Sequence, residues 1–458
     1  MVATIINIVL LLYAFIQYNK GRYAWPLFIL TFFASNAFIV NIGEPVIKYT
    51  DFGLLLLFGC SILGSLRDPS FFTIRKYTGA KISLFFLVFF ILEFLYAYLF
   101  NIDRVGNIVA VLRGYLYALS YFVFRKMSIS ELQKAIYLIF KAVVFSCIVY
   151  VIQFFTHLPL TTTFVSSAYS GGYRMQITPP FIDLIFLMLL LYSKKNKWIL
   201  LCIILIFLVQ LLSQNRTPLI GWFLEIGLFV VVSKNTKHKF TIIFVALLAF
   251  PFVNSLLSSR SENEHSTSLS STLFYLKSRD YYGLSGENTF MFRIALIAER
   301  ADYLIENPNL FLQGVGAMHE DTAQKKFDFS VGTGGYDEIK RCNVIAQLDS
   351  IDVVWGPLLI RYGFLGLALF LTIVIWIIWV FYKKRSNPNM MLGFLTYISA
   401  LAQSFSSGGL FSLLGVLTMM GFLIIYDRNI SYSIRKSKLI QDKKSLYDSE
   451  NNSLLLVW

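Results

Sequence analysis

The sequence predicts an all-α polytopic membrane protein of about thirteen transmembrane helices, with one large extracytoplasmic loop that contains short helices. Three observations carry this. Of 458 residues, 57% are hydrophobic and only 14% are charged, where a soluble domain carries about 25% charged residues. Apolar runs of about 17 to 25 residues recur from one end of the chain to the other. The loops between them alternate between rich and poor in lysine and arginine. Continuous apolar runs exclude a transmembrane barrel, whose strands alternate in polarity. The net charge of +14 sits mostly in short loops beside apolar runs. That is a topology signal, and no nucleic-acid partner is expected.

In chain order the spans fall near 2–18, 25–42, 49–66, 82–100, 105–124, 135–155, 179–193, 198–212, 218–233, 240–257, 354–382, 390–406 and 409–426. The first, "VATIINIVLLLYAFIQY", lacks the basic start and cleavage site of a signal peptide and reads as a retained span. The basic loops are "NKGR", "RDPSFFTIRKYTGAK", "RKMSISELQK", "SKKNK", "SKNTKHK", "KKRSNPN" and the C-terminal tail. The positive-inside rule places them in the cytoplasm, with the N-terminus outside. The other set, including "SQNRTP" and the long loop at 258–350, then faces outward. The chain divides into a bundle of about ten helices at 1–257, the loop at 258–350, further spans at 351–427 and a basic tail at 428–458. Within the loop, "NTFMFRIALIAERADYLIENP" has helical apolar spacing and stops at Asn307-Pro308. Such amphipathic content favours a small folded cap over disorder. The four cysteines show no metal or redox spacing.

Several charged residues need a reason. Arg216 lies in the turn "SQNRTP" between two apolar runs, on the side where the topology rule disfavours arginine. It either meets lipid headgroups or holds an anionic ligand. Pro218 suits the start of the next helix. Arg113 lies mid-run in "IVAVLRGYLYALSYFVF", where a charge faces protein or a wet cavity. Glu93 or Glu225 is the expected structural partner, and a ligand is the alternative. Asp183 falls near the outer end of its span, and Lys141 near the cytoplasmic end of its own, where it snorkels. Arg174 sits among loop glycines that let backbone approach a ligand. Arg293 and Arg300 are two turns apart on the amphipathic helix and share a face; solvated charge is the plain reading of each. Asp349 and Asp352 are three apart before a span, on one face if helical, and capping competes with a chemical role. Gly363 and Gly366 suit close helix packing. Arginine binds phosphate through a bidentate fork, and a carboxylate can serve as general base. The set suits a lipid-linked phosphate substrate and transfer to a hydroxyl, and equally an anion transporter.

Three segments resemble motifs of the bacterial O-antigen ligase and polymerase superfamily. They are "SQNRTPLIGW", "FRIALIAERADYLIENPNLFLQGVG" and "DVVWGPLLIRYGFLGLALFL". In the last, Asp352 precedes Gly363-x-x-Gly366 by the spacing that follows a catalytic-type residue in the family. Ligases carry histidine there, and none of His157, His238, His265 or His319 falls at that place, which favours a polymerase over a ligase. His319 reads as a surface residue. The resemblance implies undecaprenyl-diphosphate-linked oligosaccharide substrates in the bilayer, and no cofactor or metal. It also implies a flippase and a chain-length regulator as companions in the inner, cytoplasmic membrane. It assigns Arg216 and Arg293 to the diphosphate and Asp352 to the attacking hydroxyl. Asp349, Arg174, Arg300, Arg361 and Arg113 are further substrate contacts, and Tyr336, Trp355 and Tyr362 are sugar-stacking candidates. A lipid-linked sugar flippase without chemistry is the rival of another class.

Overall fold

The computed structural model describes residues 2–35, 47–74, 77–158, 160, 165–167, 173–175, 178–192, 197–213, 216–232, 269–337, 342–350, 353–405 and 409–429. Helices dominate. The first half contains α1 (Val2–Asn19), α2 (Ala24–Ser35), α3 (Tyr49–Arg67), α4 (Thr78–Leu99), α5 (Val105–Leu112), a 3₁₀ segment (Arg113–Leu119), α6 (Ser120–Phe124) and α7 (Ile129–Thr156). A three-residue ladder of β1 (Val165–Ser167) and β2 (Tyr173–Met175) follows, then α8 (Ile182–Tyr192), α9 (Lys197–Leu212) and α10 (Arg216–Val232). Short helices come next: α11 (Leu269–Ser278), α12 (Tyr281–Glu287), α13 (Thr289–Glu306), α14 (Pro308–Phe311) and α15 (Glu320–Ala323). After the antiparallel pair β3 (Gly334–Asp337) and β4 (Cys342–Ile345) the chain enters α16 (Trp355–Lys383) and α17 (Pro388–Gln403). A last helix, α18, covers 413–429.

Among the described residues, six helices are long and apolar enough to cross a membrane: α1, α3, α4, the composite run Val105–Phe124, α7 and α16. The expected span at 240–257 lies outside the described residues, as does the second half of 25–42. Apolar α2, α9 and α10 are shorter, so the described helices do not reach thirteen spans.

Polar side chains fix how these helices start. Ser128 caps α7 by accepting from the Glu131 N–H. The Glu131 carboxylate, freed from the reciprocal bond of a capping box, instead accepts from Ala24 N at 2.9 Å and ties α7 to the first turn of α2. Asp427, near the end of α18, accepts from Thr78 N (3.0 Å) and Gly79 N (2.8 Å). A carboxylate there satisfies orphan donors and complements the positive end of α4. Asn288 caps α13 through the N–H groups of Phe290 and Met291, and α13 stops before Pro308, as its sequence predicts.

The run 105–124 is not one α-helix. It tightens to 3₁₀ at Arg113–Leu119, where tertiary bonds hold it. Tyr117 donates to Thr50 O at 2.9 Å, and Ser83 donates to Ala118 O at 2.7 Å. One apolar core joins α1–α6 to α16–α18. A second lies among α7, α8, α9 and α10. Two smaller ones hold the 269–350 segment together, and one of them binds it to the first turns of α16.

Candidate functional site

The described polar groups gather where the 269–350 segment meets α16. Arg300 starts the arrangement. Along α13, Arg293, Leu296, Arg300 and Leu304 follow one another at helical spacing on one face, and Arg300 is 2% exposed. It is not the solvated charge expected of an amphipathic surface helix. Its guanidinium donates to Glu299 Oε2 (2.8 Å) and Gln347 O (3.0 Å) and lies 4.6 Å above the Phe329 ring. Burial pushes its pKa down to about 10, with Glu299 opposing the shift. Glu299 also accepts from Ser330 N and Oγ, both at 2.7 Å, and from Val331 N at 3.1 Å. These contacts make Arg300 a structural cation at the base of the segment.

Gln347 is the next link. Its Oε1 accepts from Phe329 N at 2.7 Å. The Glu320 carboxylate takes three successive backbone N–H groups, those of Gln347, Leu348 (2.9 Å) and Asp349 (3.0 Å). Those bonds hold 347–349 out of the helix, which begins at Trp355. Asp349 thus precedes the helix instead of standing on it. Asp349 instead receives Arg361 Nη1 at 2.6 Å, and Arg361 Nε donates to Met318 O at 3.3 Å. Arg361 is buried and Asp349 is exposed, so this pair has one end open to a ligand.

Gly363 interrupts α16 with φ 64° and ψ −171°. Only glycine adopts this region readily. The interruption frees backbone groups that the loop after α14 takes up. Val315 N donates to Ile360 O (2.9 Å), Gly316 N to Arg361 O (2.8 Å), and Leu365 N to Leu312 O (3.2 Å). A Cβ on Gly363 would lie 2.4 Å from Leu312 C and O, and one on Gly314 would lie 2.4 Å from Arg361 O. Gly363 thus serves a backbone interlock rather than the helix–helix packing its spacing suggests. A Cβ on Gly366 would meet Tyr362 of the same helix.

The remaining candidates separate. Arg113 pairs with Asp51 of α3 at 2.8 Å, not with Glu93 or Glu225. Both partners keep partial exposure, and the arginine has a carboxylate beside it. Trp355 packs against Phe405 and Phe411. Tyr362 lies among Phe89, Tyr115 and Phe370. Both are buried and offer no face for stacking a sugar. His319 is half-buried and caps α15 through Asp321 N, while its own N–H donates to Asp103 Oδ2 at 2.9 Å. Burial would raise the Asp103 carboxyl, but hydrogen bonds from His319 N, Asn107, Arg104 N and Thr322 outweigh it and hold it below its usual range. Lys141 lies 4.4 Å over the Tyr137 ring. Arg293 is half-buried in the second turn of α13. The backbone of Arg216 opens α10, and that of Arg174 pairs with Ser166 in the first ladder. The side chains of Arg216, Arg174 and Tyr336, and all of Asp352, lie outside the described residues.

A second polar cluster sits among α8, α10 and α17. Trp222 donates to Asp183 Oδ1 at 2.5 Å. Glu225, which is buried, bonds the Ser399 hydroxyl and feels the Asp183 charge. Sequence reasoning missed Asp51, Glu299, Glu320 and Gln347. Among the described residues no group of three or more His, Cys, Asp or Glu side chains is placed to hold a metal. No protein-family model matches the chain, and no curated protein matches it.

Proposed function

We propose that the chain is a lipid-diphospho-sugar-dependent glycosyltransferase. It polymerises undecaprenyl-diphosphate-linked oligosaccharide repeat units on the outer face of the cytoplasmic membrane. The observation that carries this reading is the interlock of two of the three resembling segments. Within Gly314-x-Gly316, Val315 and Gly316 are hydrogen-bonded onto the broken helix at Ile360 and Arg361, next to the half-open Asp349–Arg361 pair. The outward-facing arginines and the thirteen-span topology belong to the same reading.

In the proposed reaction, the acceptor hydroxyl oxygen bonds to the anomeric carbon of the chain. The bond from that carbon to the diphosphate oxygen breaks, and undecaprenyl diphosphate leaves with the electron pair. The hydroxyl proton passes to Asp352, the general base. Arg216 and Arg293 stabilise the charge that develops on the diphosphate. Glu320, Gln347 and Arg361 are positioning residues: they hold 347–349, three residues before Asp352. The test uses purified protein with one defined lipid-linked repeat unit. A ladder of longer glycans forms with wild type and is lost in folded Arg216→Ala and Asp352→Asn. Wild type without a ladder overturns the proposal.

The half-buried Asp183 and the buried Glu225 favour a second reading. Ionisable residues inside a helical bundle often mark a substrate path, as a flippase of lipid-linked sugar requires. Transbilayer movement of the unextended lipid-linked unit in proteoliposomes, lost in Glu225→Gln, distinguishes it.

A further inference from the structure

Past the break at Gly363, α16 runs from Phe364 to Lys383. At 1.5 Å per residue, those residues extend about 30 Å, the thickness of a bilayer's hydrocarbon core. Their far end is marked. Lys383 Nζ lies 3.5 Å over the Trp379 ring, and the Arg385 guanidinium 4.0 Å over Tyr382. Aromatic and cationic side chains together form the usual interfacial girdle. With one boundary of the core there, the other falls at Gly363–Leu365. Leu365, Leu369 and Ile375 are left uncovered by protein along this stretch, the side a membrane helix turns to lipid.

The loop after α14 is bound at that second boundary. Leu312 O accepts from Leu365 N at 3.2 Å, and the Phe311 ring stacks on Phe364 with centroids 4.5 Å apart. Leu312 is 59% exposed and Phe311 38%. Beside them, Leu310 and Gln313 line one groove with Phe100 and Ile102, which follow the last turn of α4. There Leu99 and Phe100 are among the most exposed apolar residues described. Two segments distant in sequence thus line one groove, with Lys326 at its side, and expose apolar side chains beside the first turn of α16 after the break. An aqueous loop gains nothing by exposing adjacent Phe and Leu side chains. A loop at the edge of a bilayer does, because the apolar side chains leave water.

We propose that residues 310–313 enter the bilayer boundary, with Phe311 and Leu312 in contact with lipid acyl chains. The 269–350 segment meets the membrane at this point, which sets the depth of the Gly314–Gly316 interlock and of Arg361. The proposal stands independently of glycan transfer.

The test uses the full chain in lipid nanodiscs, with a nitroxide spin label at Leu312→Cys or at Phe311→Cys. Label on the native cysteines is subtracted using unmutated protein. Collision with oxygen, which partitions into lipid, is compared with collision with a water-soluble nickel complex. Leu369→Cys gives the lipid standard and exposed Lys325→Cys the aqueous one. Oxygen collision exceeding nickel collision at 311 and 312, as at 369, is the expected result. Nickel exceeding oxygen, as at 325, overturns the proposal. So do low values for both reagents, which would mean that protein covers the loop. Should one cysteine variant fail to fold, the other decides.

Discussion

Replacing Gly363 by alanine should open the joint between the loop and α16. At φ 64° and ψ −171° a side chain costs about 1–3 kcal/mol in backbone strain alone. The new Cβ would also sit 2.4 Å from the Leu312 carbonyl. Backbone atoms lie on both sides, so neither can yield by a rotamer change. The way to relieve the clash is to move the loop, which gives up the bonds at Val315, Gly316 and Leu365. Three such bonds are together worth about 1.5–4.5 kcal/mol. Hydrogen–deuterium exchange of a peptide containing Val315 and Gly316 reads this opening. The strain term alone should raise exchange there by roughly 5- to 150-fold. Gly421→Ala is the control, since its Cβ meets nothing within 4 Å, and it should leave that peptide unchanged. Equal protection in Gly363→Ala and wild type would refute the claim that glycine is required for the interlock.

Other outcomes follow from the same contacts. Glu299→Gln leaves the Arg300 charge buried without its partner and should cost about 3–5 kcal/mol in denaturant unfolding; a loss below about 1 kcal/mol would contradict the structural role. The partly exposed Arg113–Asp51 pair should show a coupling of only about 0.2–1 kcal/mol in a double-mutant cycle with Arg113→Met and Asp51→Asn. A much larger value would restore a deeply buried arginine. Asp103 has a folded pKa below its unfolded value of about 3.9, so its stabilisation is present above that value and fades as pH falls through the lower, folded value. Exchange at the His319 amide should therefore carry no Asp103-dependent change between about pH 5 and 8, and should rise only in stronger acid. Asp103→Asn should remove that acid step.

Local chemistry was legible in the sequence, and contacts between distant residues were not. The end of α13 before Asn307-Pro308 and the start of α16 near residue 354 follow from helix-stop signals and apolar length. Only the carbonyl of Thr50 and the hydroxyl of Ser83 reveal that the run 105–124 tightens to 3₁₀, and both come from other helices. Asp349 looks like a helix-capping residue until Glu320, twenty-nine positions away, is seen to take its N–H. No spacing rule links Glu299, Glu320 and Gln347, because a folded loop and not a regular element brings them together. Arg300 misled for a physical reason: on an amphipathic helix a charge is normally solvated, and here a second layer of chain covers it. Gly363 has the spacing of a packing motif, and only its φ reveals the backbone break.

The most direct test of glycan transfer is stoichiometry. Purified protein is given a lipid-linked repeat unit with no nucleotide sugar present, and released undecaprenyl diphosphate is counted against glycan bonds formed. The account predicts one released for each bond, with neither product in Asp352→Asn. Lipid-linked sugar that crosses a bilayer unextended, with no undecaprenyl diphosphate released, would contradict it.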